Sequence, residues 1–331
     1  MSGTIDALLL IAFGGPEQPA DVLPFLENVL RGRNVPHERM LEVAQHYYHF
    51  GGVSPINGQM RELVPLVEAE LRAKGPRLPV YWGNRNWHPM LANTIRKMRD
   101  DGVRHALAFV MSAYSSYSGC RQYLEDIARA RETVGPGAPE IDKLRLFFDH
   151  PGFIEPMAEN VRKALTHLPA AALVYTAHSV PVSMAATSQY EAQLREACRL
   201  VSERVDRNEW RLVYQSRSGP PSQPWLGPDI GEYLRELHAG GVHEVVIAPI
   251  GFISDHMEVL FDLDTEARAL CDELGMKLVR AATVGNHPAF VGMIAELARE
   301  RMGETAPRWM GTLGQSAATC PPDCCAPPRR G

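Results

Sequence analysis

The sequence contains no long hydrophobic run. The stretch "ALLLIAF", Ala7 to Phe13, is seven residues long, against the roughly 18 to 20 needed to cross a bilayer. No basic segment precedes it and Gly14-Gly15-Pro16 follows, so it reads as a buried strand. A signal peptide and a transmembrane segment are both excluded on that reading, and a cytoplasmic location is expected. Cysteine is also scarce, six in 331 residues, which excludes a secreted disulfide scaffold. Neither charge dominates: 34 basic residues face 39 acidic ones for a net of −5, so nothing draws the chain to nucleic acid or to an anionic membrane. Phosphate-binding signatures are missing too. "FGGPEQPAD" has neither the G-x-G-x-x-G spacing nor the lysine of G-x-x-x-x-G-K-[ST], and Pro16 removes an amide that a phosphate would use. It is read as a tight turn shaping a pocket wall.

What the chain does have is apolar content, 45% of residues, organised in a regular alternation. Short apolar runs ending in Gly, Ser or Pro precede longer amphipathic stretches: "ALLLIAFGG" then "ADVLPFLENVLRG", "HALAFVMSAY" then "CRQYLEDIARARE", "AALVYTAHSVP" then "SQYEAQLREACRLVSERV". Continuous apolar strands alternating with helices predict parallel sheets covered on both faces. The pattern restarts after "HPGFIEPMAENVRKALTHLP", so an α/β chain of two similar Rossmann-like domains with a cleft between them is expected, at 1–160 and 161–305, followed by an irregular Gly- and Pro-rich tail at 306–331. Ligands of such sheets gather outside the carboxyl ends of the strands. That rule selects "FGGPEQP", "SAYSSYSGC", "TAHSVP" and "PIGFISDHMEV" as neighbours.

Two of these carry chemistry. His178 ends an apolar strand in "VYTAHSVP", where an imidazole that titrates near neutrality can accept a proton or bind a metal; the alternative is a histidine that merely satisfies loop carbonyls. In "GFISDHMEVLFDLDTEA", carboxylates are set among Phe252, Met257, Val259, Leu260, Phe261 and Leu263. On an ideal helix at about 100° per residue, Asp255, Glu258, Asp262 and Glu266 fall within an arc of roughly 80° and span about 16 Å. A row of that length suits the relay of a cation or of protons. For "YSSYSGC", the hydroxyls either hold anionic groups or cap the next helix, and capping alone accounts for Ser118.

Taken together, "FGGP", "LRGR", "FGGVSPIN", "TAHSVP", "YQSRSGPPSQPWLGPDI" and "PIGFISDHMEVLFDLDTEA", in this order, closely resemble the ferrochelatases, which insert ferrous iron into a porphyrin. The resemblance runs from about residue 6 to residue 300. It implies the chelatase-type two-domain fold, with the last helix, near "FVGMIAELARERM", packing back on the first half. His178 matches the histidine assigned to proton abstraction or metal delivery, Glu258 the carboxylate facing it across the porphyrin, and Asp262 and Glu266 the acidic row behind it. Asp262 stands where many relatives have Glu. The family also places an unusual wide turn in this helix.

The resemblance further implies a substrate, a cofactor and partners. Arg31 and Ser54 match positions near the substrate carboxylates in the coproporphyrin-using bacterial branch, and "YSSYSG", with Tyr114 and Ser118, adds hydroxyls. Phe13 stands where some members of that branch have Tyr and lacks the hydroxyl. Coproporphyrin III is the expected substrate, with protoporphyrin IX as the alternative; Arg31 and Arg33 also read as ordinary surface charges. Many ferrochelatases hold a [2Fe–2S] cluster on three C-terminal cysteines and one internal cysteine. Cys320, Cys324 and Cys325 in "CPPDCC" match the first three and Cys120 the fourth, with structural zinc as the alternative for the same thiolates. Cys324 and Cys325, being adjacent, are expected to point apart and serve different irons, while Cys198 and Cys271 sit in helical periodicity as core residues. The implied partners are the porphyrin and Fe²⁺, with handover of product to other heme-pathway enzymes. The rival readings are a cobalt or nickel chelatase and a non-catalytic porphyrin-binding or Fe–S sensor protein.

Overall fold

A computed structural model describes residues 4–32, 35–219, 222–317, 319–321 and 324–327. Within them the chain forms two compact units that interleave along the sequence. The first takes in Met1–Met111, Tyr123–Leu144 and Ile294–Thr305, and the second Ser112–Gln122, Arg145–Met293 and Ala306–Gly331.

In the first unit, β1 (Ala7–Ala12) is buried along its whole length. It is followed by α1 (Val22–Leu30), α2 (His37–His49), α3 (Ile56–Lys74), β2 (Val80–Asn84), α4 (Leu91–Asp100), β3 (His105–Val110), α5 (Gln122–Val134) and β4 (Glu140–Lys143). All pairings are parallel, in the order β2-β1-β3-β4. Ala7, Leu9 and Ile11 pack with Ile95 and Met98 of α4 and Ile127 and Ala130 of α5 on one face of the sheet. Leu8 and Leu10, pointing the other way, are equally buried, as a strand covered on both faces requires.

The second unit repeats the plan. After α6 (Pro151–His167) come β5 (Ala172–His178), the single turn α7 (Val182–Ala185), α8 (Tyr190–Arg204), β6 (Arg211–Gln215), α9 (Ile230–Ala239) and β7 (Glu244–Ala248). A composite helix follows, then β8 (Lys277–Arg280) and α12 (Pro288–Arg301), whose residues are divided between the units. The composite helix is α10 (Met257–Val259), an eight-residue π-helix at Leu260–Ala267, and α11 (Arg268–Glu273). The sheet is again parallel, ordered β6-β5-β7-β8. Among the described residues no helix is long and apolar enough to cross a membrane.

The π-helix has a physical rationale in the sequence. Val259, Leu263, Ala267 and Cys271 form the buried seam of this helix, each four residues from the last, and Glu258, Asp262 and Glu266 precede three of them by one. Four residues of α-helix overshoot a full turn by about 40°. A π turn closes over five residues instead of four, which offsets that drift and keeps both rows in line.

Candidate active site

In each sheet the strand order reverses between two central strands, and the crevice at that switch point is where α/β sheets place ligands. In the second unit these strands are β5 and β7. The register makes β5 the longer: Ala248, the last residue of β7, lies opposite Tyr175, while β5 continues to His178, opposite Gln215 of β6. The chain after β7 turns back over this overhang, with Gly251 N–H donating to the Thr176 carbonyl at 3.0 Å. A Cβ on Gly251 would lie 2.6 Å from the Cβ of Ala177, so glycine is required for that approach. The turn returns the chain through His256 to Glu258.

His178 Nε2 and Glu258 Oε1 are thereby brought to 3.6 Å. The imidazole is locked on its other side, Nδ1 lying 2.5 Å from the Ser179 carbonyl, and the Tyr190 hydroxyl donates to the carbonyl of His178 at 2.9 Å. Burial works against the imidazolium, but the charge and hydrogen bond of Glu258 outweigh it and push His178 up to about 9. Burial likewise opposes ionisation of Glu258, yet the His178 charge holds that carboxyl down at about 2. The pair is ionised at neutral pH. Two faces of a macrocycle in contact need about 7 Å between them, so the expectation that these residues confront each other across a porphyrin is corrected.

The five acids from Asp255 to Glu266 divide into two groups. Asp255 and Asp264 are committed to Arg280, Asp255 at 3.2 Å and Asp264 at 2.7 Å, and Asp255 also accepts from Thr283. Asp255 therefore leaves the expected row; it precedes the helix and its charge is neutralised. Glu258, Asp262 and Glu266 remain. Asp262 accepts from the Ser216 hydroxyl and from Gln215 Nε2 at 3.2 Å. Burial pushes its carboxyl up to about 7, with the Ser216 hydrogen bond opposing and Glu258 and Glu266 adding. Glu266, more exposed, is also raised by burial. The wide turn implied by the resemblance is the π-helix itself. Arg280, Gln215, Ser216 and Tyr190 were not singled out from the sequence. A lone Arg on an edge strand carries no motif, and the other three act through bonds that only the fold brings together.

The remaining expected contacts are placed as follows. Tyr114 is 3% exposed and its hydroxyl donates to the Ile250 carbonyl at 2.8 Å, so it braces the turn leading to Glu258. Its proposed substrate role is corrected, since the hydroxyl is committed to the backbone. Ser118 lies 3.8 Å from Met184 Sδ, and the helix cap expected of it is supplied by Ser116, whose Oγ accepts from Gly119 N–H at 2.8 Å. In the first unit, Phe13 is 38% exposed and packs edge-on to Phe25. Ser54 is buried against Gly15, where an added Cβ would meet Ser54 Cβ at 2.6 Å. Arg31 is exposed at the end of α1 and donates to Asn28; Arg33 lies outside the described residues.

Cys120, inside a π turn at Tyr117–Arg121, has its Sγ 3.9 Å from that of Cys320. Cys324 and Cys325 are 3.7 Å apart, which corrects the expectation that adjacent thiols diverge. The left-handed backbone at Cys325, φ +52°, turns its side chain toward its neighbour. The Cys324 thiol is raised by burial, opposed by its bond to Cys325 and reinforced by Cys320 and Cys120, so the four sulfurs lie in one neighbourhood. Cys198 and Cys271 are buried in the core. Among the described residues no three His, Cys, Asp or Glu side chains meet in an arrangement that would hold one metal ion.

Solved structures with this architecture define its class. SirB from Bacillus subtilis with Fe3+ matches with a TM-score of 0.56 at 12% identity, covering 90% of this chain and 95% of that one. The sirohydrochlorin chelatase SirB from B. subtilis subspecies spizizenii in complex with cobalt gives 0.54 at 12% identity over 91% and 98%. The fold is that of the chelatases. Sequence narrows this further: a ferrochelatase family model matches residues 5–302. The ferrochelatase of Rhodopirellula baltica is 55% identical, over 98% of this chain and 95% of that protein. The coproporphyrin III ferrochelatases of Nocardia farcinica and Streptomyces coelicolor are 52% and 50% identical, over 98% and 97% of this chain and 98% and 93% of theirs. The chain belongs to the ferrochelatase family and is an enzyme of heme synthesis.

Proposed function

We propose that this enzyme inserts Fe²⁺ into coproporphyrin III to give Fe-coproporphyrin, in the cytoplasm. The relatives from N. farcinica and S. coelicolor, which carry that activity in their names, support this choice over protoporphyrin IX. The observation that carries the assignment of the centre is the ionised His178–Glu258 pair, 3.6 Å apart at the switch point.

Insertion exchanges two pyrrole N–H protons for one Fe²⁺, so the reaction balances as porphyrin plus Fe²⁺ giving the iron complex plus two protons. His178 is a cation while Glu258 faces it alone, and in that state it accepts nothing. Fe²⁺ arriving at Glu258 competes for the carboxylate and lowers the proton affinity of the imidazole. His178 then gives up its proton and becomes the base for the pyrrole nitrogens. Asp262, with a carboxyl that titrates at about 7, takes up and releases protons at neutral pH, and Glu266 passes them to solvent. Cations and protons need such compensated stations because an isolated charge is costly in apolar surroundings. Phe13, Arg31, Ser54 and Ser118 are assigned as substrate contacts, and the product is assigned to handover to a further heme-pathway enzyme.

We assign the four tail-region thiols to a [2Fe–2S] cluster. Four sulfurs around a metal at about 2.3 Å are spaced by about 3.8 Å, close to the 3.9 and 3.7 Å within the two cysteine pairs. The cluster would supply a one-electron centre that also crosslinks the tail to the π turn at Cys120.

Anaerobic iron insertion into coproporphyrin III and protoporphyrin IX, compared side by side, tests the function. A higher kcat/KM for coproporphyrin III is expected. Preference for protoporphyrin IX would reassign the substrate, and porphyrin binding without metal uptake would make the protein a binder.

A further inference from the structure

Gln215 is the last residue of β6 and lies in register with His178 on β5. It is 1% exposed. Its carbonyl accepts from Ser179 N–H at 2.8 Å, and the Ser179 carbonyl in turn holds His178 Nδ1. Its side-chain Nε2 donates to the Glu258 carbonyl and to Asp262 Oδ2, each at 3.2 Å. One residue thus touches the strand end that carries the imidazole and the helix that carries both carboxylates.

Burying a primary amide is unfavourable unless its bonds are satisfied, and here Oε1 has no hydrogen-bond partner among the described residues. A side chain of similar volume and no polarity would serve packing as well or better. The amide is explained by its two donated bonds, and those bonds end on the residues of the centre. We propose that Gln215 is a positioning residue for metal insertion. It fixes the spacing of His178 and Glu258 and aims the Asp262 carboxylate, without touching substrate. This inference rests on the reading of His178 and Glu258 as the insertion pair. Partners of this kind, one bond removed from a metal-handling group, typically contribute 10- to 100-fold to affinity or activity.

Two variants test it. Gln215→Met keeps the length and removes the donor; Gln215→Asn keeps the amide and loses the reach. In both, kcat for iron insertion should fall by about 10- to 100-fold, with the KM for porphyrin, and porphyrin affinity measured by fluorescence quenching without metal, unchanged. The imidazole resonances of His178 should move in both, since Glu258 shifts beside them. Wild-type kcat with unmoved His178 resonances in either folded variant would overturn the proposal. So would a loss of kcat that merely follows a matching loss of porphyrin affinity and thermal midpoint, because that is a packing defect. A wild-type protein that inserts no metal would instead overturn the reading of the centre, and this inference with it.

Discussion

Glu258→Gln keeps the shape of the side chain and removes its charge, so it isolates what the carboxylate does to His178. The rise of the imidazole from 6.5 to about 9 is the net of burial pulling it down and Glu258 more than reversing that. At about 1.4 kcal/mol for each tenfold in proton affinity, such a rise corresponds to about 3 kcal/mol. With the imidazole 34% and the carboxylate 47% exposed, solvent screening reduces the contribution to stability to about 1 kcal/mol. The sign follows from both partners. A histidine raised in the folded state stabilises fully below 6.5 and loses that contribution as pH rises through about 9. A glutamate depressed to about 2 contributes above 4.5 and loses its share as pH falls toward 2. The pair is therefore complete between these limits, near pH 5 to 6. Urea unfolding should find Glu258→Gln less stable than wild type by about 1 kcal/mol at pH 6, and nearly equal to it at pH 10. NMR titration should move His178 from about 9 in wild type to 6.5 or below in the variant. A wild-type His178 that titrates at its ordinary value, or a stability difference equal at both pH values, would refute this reasoning.

Other outcomes follow from single contacts. Cys120→Ser should remove the visible absorbance of the purified protein and its acid-labile sulfide; colourless wild type carrying zinc would reject the cluster. Glu196 is held down at about 2, first by its hydrogen bonds to Arg199, and it also accepts from Thr312 of the tail. Its stabilisation is thus present above 4.5 and lost as pH falls toward 2. Glu196→Gln should cost about 2 kcal/mol at pH 6 by urea unfolding and flatten the acid limb of the stability profile. Gly251→Ala forces a Cβ to 2.6 Å from Ala177 beneath the turn that carries Glu258. Its thermal midpoint should fall by an amount equivalent to about 1 to 3 kcal/mol.

What was legible in the sequence follows burial. The runs read as strands became β1, β3 and β5, which with β7 are the central strands of the two sheets. Covered on both faces, they must be continuously apolar, and that is a pattern sequence displays. Their edge partners β2, β4, β6 and β8 are short and mixed, such as "EIDK" and "KLVR", and offered no comparable signal. The same contrast holds at the site. His178 and the acidic row were visible because a polar group at an apolar strand end stands out against its neighbours. The loss of Asp255 to Arg280 was not, since that pair joins residues 25 apart in sequence. Nor was the convergence of Cys324 and Cys325, which depends on one left-handed residue.

The central claim is that His178 and Glu258 form the insertion centre. Anaerobic Fe²⁺ insertion into coproporphyrin III by His178→Ala, alongside porphyrin binding by the same variant, tests it most directly. The macrocycle should bind as in wild type while insertion is abolished. Turnover equal to wild type would contradict it.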